Sequence, residues 1–175
     1  MKKILICLLL FICLFGVIGC SKMSKSNEKE EVVEKPTAQG DEKTVEQLNF
    51  FVPQGFNSNS YNGMMGIYDF YTGENSGLEV NVVVVVTYSG NFKDMSAKDY
   101  ILKESNTAKS IKLDKVSEET INGSKWYLFS NSNNYYYASL FNDSLYEVTI
   151  SKKSDPDNIF KNTNEMVKKT LFFVK

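Results

Sequence analysis

Cys20 is the residue best suited to covalent chemistry in this 175-residue chain. It closes an apolar run that begins at Ile4 and also contains Cys7 and Cys13. A thiolate is a good nucleophile and accepts acyl or alkyl groups readily. Most other reactive side chains are missing: there is no His, and all 20 basic residues are Lys, so there is no Arg. Imidazole bases, His-ligated zinc and bidentate Arg clamps on phosphate are therefore excluded. No G-x-S-x-G motif occurs, and neither Ser21-Lys22 nor the stretch Ser105 to Ala108 pairs a serine nucleophile with a base. Asp155, Asp157 and Asn158 offer hard oxygen donors of the kind a divalent cation takes. The same residues also suit a helix start, with Asp155 as cap and Pro156 in the first position. Capping accounts for them, so no metal, cofactor or catalytic residue is expected, and the chain reads as a non-enzyme.

The segment before Cys20 has the form of an address. Lys2 and Lys3 precede Ile4 to Ile18, a run shorter than the roughly 20 residues a membrane-spanning helix needs. Its last residues, Val17-Ile18-Gly19-Cys20, resemble the lipobox of bacterial lipoproteins, an aliphatic and small tetrapeptide that ends in Cys. The resemblance implies a signal peptide over residues 1–19, cleavage before Cys20, and a diacylglyceryl group on the Cys20 sulfur. The expected location is then the cell membrane, lipid-anchored on its extracytoplasmic side. Once acylated, the only mature cysteine cannot form a disulfide, so the domain must stand on its core alone. Net charge is −1, or −3 once Lys2 and Lys3 are removed, with both signs interspersed. That gives no surface for nucleic acid.

Beyond the address, Ser21 to Thr44 is rich in Ser, Lys and Glu and poor in apolar residues, which predicts a disordered tether over residues 20–45. As a flexible coil, about 24 residues span roughly 25–30 Å. A single domain is expected over residues 46–175. Leu48, Phe50 and Val52 alternate as in a strand that Pro53-Gln54-Gly55 ends, an Asn/Ser/Gly loop follows, and Met64 to Tyr71 gives a second strand. Five consecutive valines, Val82 to Val86, predict a strand over Glu79 to Thr87 that is buried on both faces, so helices must cover the sheet. Ser96 and Asp99 form a capping box, with Met95 and Tyr100 as hydrophobic staple, for a helix from Ala97 to about Lys109. Lys112 to Lys152 reads as an antiparallel meander turned at Asn122-Gly123, Asn131 to Asn134 and Asn142-Asp143. A second helix begins at Asp155, with Ile159, Phe160, Thr163, Met166, Val167 and Thr170 on its buried side. Leu171 to Val174 closes the chain as an edge strand or as packing. The fold class is α+β, an antiparallel β-sheet covered by helices on its faces.

Three clusters in this order are similar to the PsbP-like α/β/α sandwich superfamily, which includes bacterial lipoproteins such as DcrB and a eukaryotic Ran-binding import factor. They are Phe51-Val52-Pro53-Gln54-Gly55-Phe56, Ile121-Asn122-Gly123-Ser124-Lys125-Trp126 and Lys169-Thr170-Leu171-Phe172-Phe173. The resemblance spans Gln47 to Lys175 and implies a non-enzymatic binding or accessory role. Metal-linked residues of the photosynthetic members do not carry over, since the chain has no His and no matching acidic cluster. Trp126, Tyr127, Phe129, Tyr135, Tyr136, Tyr137 and Tyr146 fall on neighbouring strands, where alternation assigns about half to each face and most to the core. Two readings stay open. One is a tethered module that docks an envelope protein through Tyr61, Tyr135 and Tyr137; the other is a carrier or sensor that holds a small apolar ligand between helix and sheet.

Overall fold

The valine run lies inside the larger of two sheets, with a paired strand on either side. In a computed structural model of the chain, the structure describes residues 33–63, 66–75, 78–88, 96–103, 109–110, 115–153 and 158–175. Strands β1 (Asp41–Val45), β2 (Leu48–Val52), β3 (Phe56–Gly63), β4 (Gly66–Asn75) and β5 (Leu78–Tyr88) come first, followed by helix α1 (Ala97–Lys103). Then come β6 (Lys115–Ile121), β7 (Ser124–Ser130), β8 (Asn134–Phe141), β9 (Ser144–Lys152), helix α2 (Ile159–Thr170) and β10 (Phe172–Phe173). They form a seven-stranded sheet in the order β3-β4-β5-β9-β8-β7-β6 and a three-stranded sheet in the order β1-β2-β10. Every pairing is antiparallel.

Residue alternation divides the large sheet into two faces. On one, Val80, Val82, Val84 and Val86 join Trp126, Tyr137, Tyr146, Val148 and Ile150 beneath the small sheet and Phe160 and Val167 of α2. On the other, Tyr127, Phe129, Tyr136, Ala138 and Leu145 pack against Ile101 of α1. The expectation that both faces of β5 are fully buried is met on one side only. Val83 and Val85, pointing the other way, are half-buried. The expected helical cover of each face is met in part, because much of the first face is covered by β2 and its partners. The molecule is mostly β, with two sheets and few helices.

Local expectations fare differently according to the physics behind them. The Asn122-Gly123 turn has φ of 46° and 78° and joins β6 to β7 in the register Ile121↔Ser124. Asn142 and Asp143 repeat the arrangement, with φ of 46° and 59°, between β8 and β9. The Ser96 hydroxyl accepts from the Asp99 amide at 3.1 Å and donates to the Asp99 carboxylate at 2.8 Å, so Asp99 reaches back to the hydroxyl. Met95 of the staple lies outside the described residues, as do Asp155 and Pro156; Asn158, in the left-handed region at φ 57°, occupies the N-cap position of α2 without a side-chain cap bond. Phe160, Thr163, Val167 and Thr170 are buried, as the stripe predicts.

Two expectations are corrected. The tether does not extend to residue 45, because Asp41–Val45 pairs with β2 from Asp41↔Val52 to Val45↔Leu48. Its sequence is polar because alternate residues of this edge strand face water. The Asn/Ser/Gly loop is instead β3, paired with β4 from Phe56↔Gly73 to Gly63↔Gly66. Asn and Ser have poor strand propensity, but a full ladder to a neighbouring strand overrides it at a sheet edge.

The short β10 reaches only Asn49 and Leu48 of β2. Beyond it, the Thr170 hydroxyl continues the edge, accepting from the Phe51 amide at 2.9 Å and donating to the Met166 carbonyl at 2.7 Å.

Candidate functional site

Of the residues proposed from sequence, Cys20 lies outside the described residues, and so do Asp155 and Asp157. Tyr61 sits in edge strand β3 opposite Tyr68. Tyr135 and Tyr137 sit in β8, with β4, β5 and β9 between the two strands. The structure does not bring the three tyrosines together. Tyr137 is 2% exposed and its hydroxyl donates to Asn164 of α2. Tyr135 is half-buried and stacks on Phe160 with ring centroids 4.8 Å apart. Tyr135 and Tyr137 therefore support α2 rather than presenting a contact surface. Alternation places both on the face that α2 covers, and the neighbouring turn is already satisfied by Asn131, whose side-chain oxygen accepts from the amides of Asn133 and Asn134.

Burial holds the Tyr137 phenol well above its ordinary range, with a further push from Tyr135, and burial also raises Tyr146. Tyrosines whose pKa is higher folded than unfolded keep their contribution below the unfolded value and lose it as pH rises through the folded one. Stability is thus expected to hold to about pH 10 and then fall. Urea midpoints taken on either side of that value check this, and a flat profile through it would contradict it.

Sequence reasoning did not single out the pair on the opposite face. Glu147 is 4% exposed in β9, and the Tyr136 hydroxyl donates to its carboxylate. The readable signal was an acid inside the otherwise apolar or hydroxyl-bearing run Leu145 to Ile150. Among the described residues no group of acids or cysteines is arranged to hold a metal ion.

A polar network lies at one end of the large sheet. Antiparallel register gathers the β6–β7 and β8–β9 turns there with the end of β5, since Tyr88 pairs with Ser144. The Asn122 side-chain amide donates to the carbonyls of Lys169 and Leu171 at 3.0 and 2.9 Å, which ties the turn to the C-terminus of α2. Asn142 donates to the Gln47 side chain at 3.0 Å, and the Gln47 carbonyl accepts from the Val174 amide at 2.9 Å. Glu46, forced to φ 52° by the tight β1–β2 turn, accepts from Tyr88. Partial burial, helped by this bond and the Glu46 charge, pushes the Tyr88 phenol up to about 12.

Val33, the first of the described residues, lies at the same end. A Cβ at Gly123 would stand 2.9 Å from Val33 Cγ2, and one at Gly40 would stand 2.4 Å from the Val52 carbonyl oxygen, at the far end of β2. Between these points the chain passes α2. Thr37 and Ala38 share an open groove of about 290 Å³ with Asn162, Glu165, Met166 and Lys169.

Asn122 has two separable duties. Asn122→Ala loses both bonds and puts a Cβ-bearing residue of poor left-handed tolerance at positive φ, while Asn122→Gly loses the bonds alone. Each bond is worth about 0.5–1.5 kcal/mol, so Asn122→Ala should destabilise by about 2–3 kcal/mol and Asn122→Gly by less. Denaturant midpoints distinguish them, and equal losses would mean that the backbone conformation is unimportant there.

The fold has a solved counterpart. The chain is similar to cyanobacterial PsbP (CyanoP) from Synechocystis sp. PCC 6803, known from a solution structure, with a TM-score of 0.54 and 14% identity over 79% of this chain and 98% of that one. The likeness establishes a PsbP-like fold. No protein-family model matches the sequence, and a search of curated proteins gives no match.

Proposed function

We propose that this protein is a lipid-anchored, non-enzymatic binding or accessory module of the cell envelope. The observation that carries the reading is the placement of Cys20 directly behind Val17-Ile18-Gly19. The anchor is diacylglyceryl on the Cys20 sulfur, with further acylation such as palmitate on the new amino terminus. Two chains of about 16 carbons, at roughly 0.8 kcal/mol per buried methylene, hold a protein stably where one chain is marginal. The relation to DcrB-type lipoproteins rests on the three sequence clusters named above. An α/β/α arrangement is supported by the two cores on opposite faces, each of which includes residues of one helix.

An envelope protein fits as partner better than a small apolar ligand. The rings that would floor an apolar pocket are spent on packing: Trp126, Phe141 and Tyr146 on Phe173, and Tyr135 on Phe160. Cys20→Ala is expected to accumulate as uncleaved or shed precursor, scored by fractionation and metabolic acyl labelling. Retention and processing identical to wild type would refute the anchor. Cross-linking in intact cells, with the anchor kept, then identifies the partner.

A further inference from the structure

We infer that the end of the large sheet that carries the Asn122-Gly123 and Asn142-Asp143 turns is apposed to the lipid surface, with Tyr88 and Val174 as its contact residues. This rests on the lipid-anchor reading and adds an orientation to it. Three observations lead there.

The first is where the chain enters the domain. Val33 packs against the Gly123 turn, and Cys20 lies 13 residues upstream, a reach of at most about 45 Å fully extended. The opposite end, at Asn131 to Asn133, is separated from Gly123 by the 7-residue β7, about 26 Å from Gly123 to Asn131 at roughly 3.3 Å per residue. A flexible coil of 13 residues spans only about 20 Å on average. A lipid on Cys20 therefore favours the turn end near the headgroups, whereas the opposite end meets the bilayer only when more than half of the full reach is spent on passing the domain.

The second is what this end exposes. Among the described residues, the large exposed hydrophobics are Val33, Tyr88, Leu102 and Val174, and all but Leu102 are at the turn end. Tyr88 is 50% and Val174 44% exposed, and the backbone of Val174 is held by its bond to the Gln47 carbonyl. A tyrosine with an apolar ring and a polar tip suits the interface between acyl chains and water.

The third is charge. Lys168 pairs with Glu119 at 2.7 Å, and Glu46 and Asp143 lie at the same end as Lys169 and Lys175. Signs balance, so the contact does not depend on anionic lipid as a polybasic patch would. This distinguishes a shallow apolar contact from electrostatic adsorption.

The test uses the full-length protein purified with its lipid and reconstituted in phosphatidylethanolamine–phosphatidylglycerol vesicles. With Cys20 blocked by lipid, one new thiol takes one fluorophore: at Lys175→Cys on the turn end, or at Ser132→Cys on the opposite end. Quenching by headgroup spin-labelled lipid should be several-fold stronger at position 175 than at 132. Adding Tyr88→Ser and Val174→Ser should reduce the quenching at 175 while flotation with vesicles persists. Replacing phosphatidylglycerol by phosphatidylcholine should leave the difference intact. Equal quenching at both positions, stronger quenching at 132, or loss of the difference in neutral vesicles would each overturn the orientation while the anchor stands. Protein that arrives with an unmodified Cys20 and fails to float would overturn both.

Discussion

Val84→Asp is expected to abolish the folded state. Val84 is fully buried in the middle of β5, with Val148 of β9 as its cross-strand neighbour, and it lies among Val82, Val86 and Ile150 beneath the small sheet. A carboxylate there has no polar partner from these neighbours and loses its hydration, a cost of several kcal/mol against a total stability of about 5–15 kcal/mol for a domain. Val83→Asp provides the contrast. Val83 is half-buried on the opposite face, where the new carboxylate keeps access to water, so that variant should fold with a lowered midpoint. Circular dichroism melts of the pair decide the matter: a Val84→Asp protein melting within a few degrees of wild type would mean that this face of β5 is not buried.

Phe173→Ala should be the most costly single truncation near the C-terminus. Phe173 is 3% exposed, stacks on Trp126 at 5.3 Å and on Phe141 at 4.3 Å, and meets Tyr146 edge-on at 4.9 Å. Removing the ring leaves a cavity at the junction of the two sheets and unsupports three aromatic side chains at once. Buried Phe→Ala changes cost about 3–5 kcal/mol, and this site should lie at the upper end because its neighbours are rigid rings that cannot collapse inward. Phe172, half-buried one residue earlier and pointing the other way, should lose far less when truncated. Denaturant midpoints of the two variants measure the difference, and similar losses would argue against the ring cluster as the joint between sheets.

What the sequence disclosed followed from local physics. Asn122-Gly123 and Asn142-Asp143 were legible because positive φ restricts residue choice, and the valine run was legible because only a buried strand tolerates it. The α2 stripe followed from helical periodicity. The strands β1 and β3 were not legible, since an edge strand facing water has the composition of a loop and only its partner's ladder fixes it. The site suffered from a different gap. Alternation assigns Tyr135 and Tyr137 to one face but does not say which face, and only the position of α2 shows that theirs is the covered one. Nor could composition foretell that Val33, Tyr88 and Val174, dispersed along the sequence, would meet at one end of the sheet.

The pairings of β2 with β10 and of β5 with β9 set the order in which the chain can become a protein. Residues 48 and 49 wait for residues 172 and 173, roughly 120 positions later, and the valine strand waits for a partner about 65 positions on. Contacts this distant in sequence form slowly, because loop-closure entropy must be met before any ladder rewards it. A nascent chain emerging from the ribosome therefore lacks the closing strand of its small sheet until residues 172 and 173 are made. On the lipid-anchor reading proposed above, that delay would be an advantage: the chain would stay threadable through a translocation channel and close only after release on the far side.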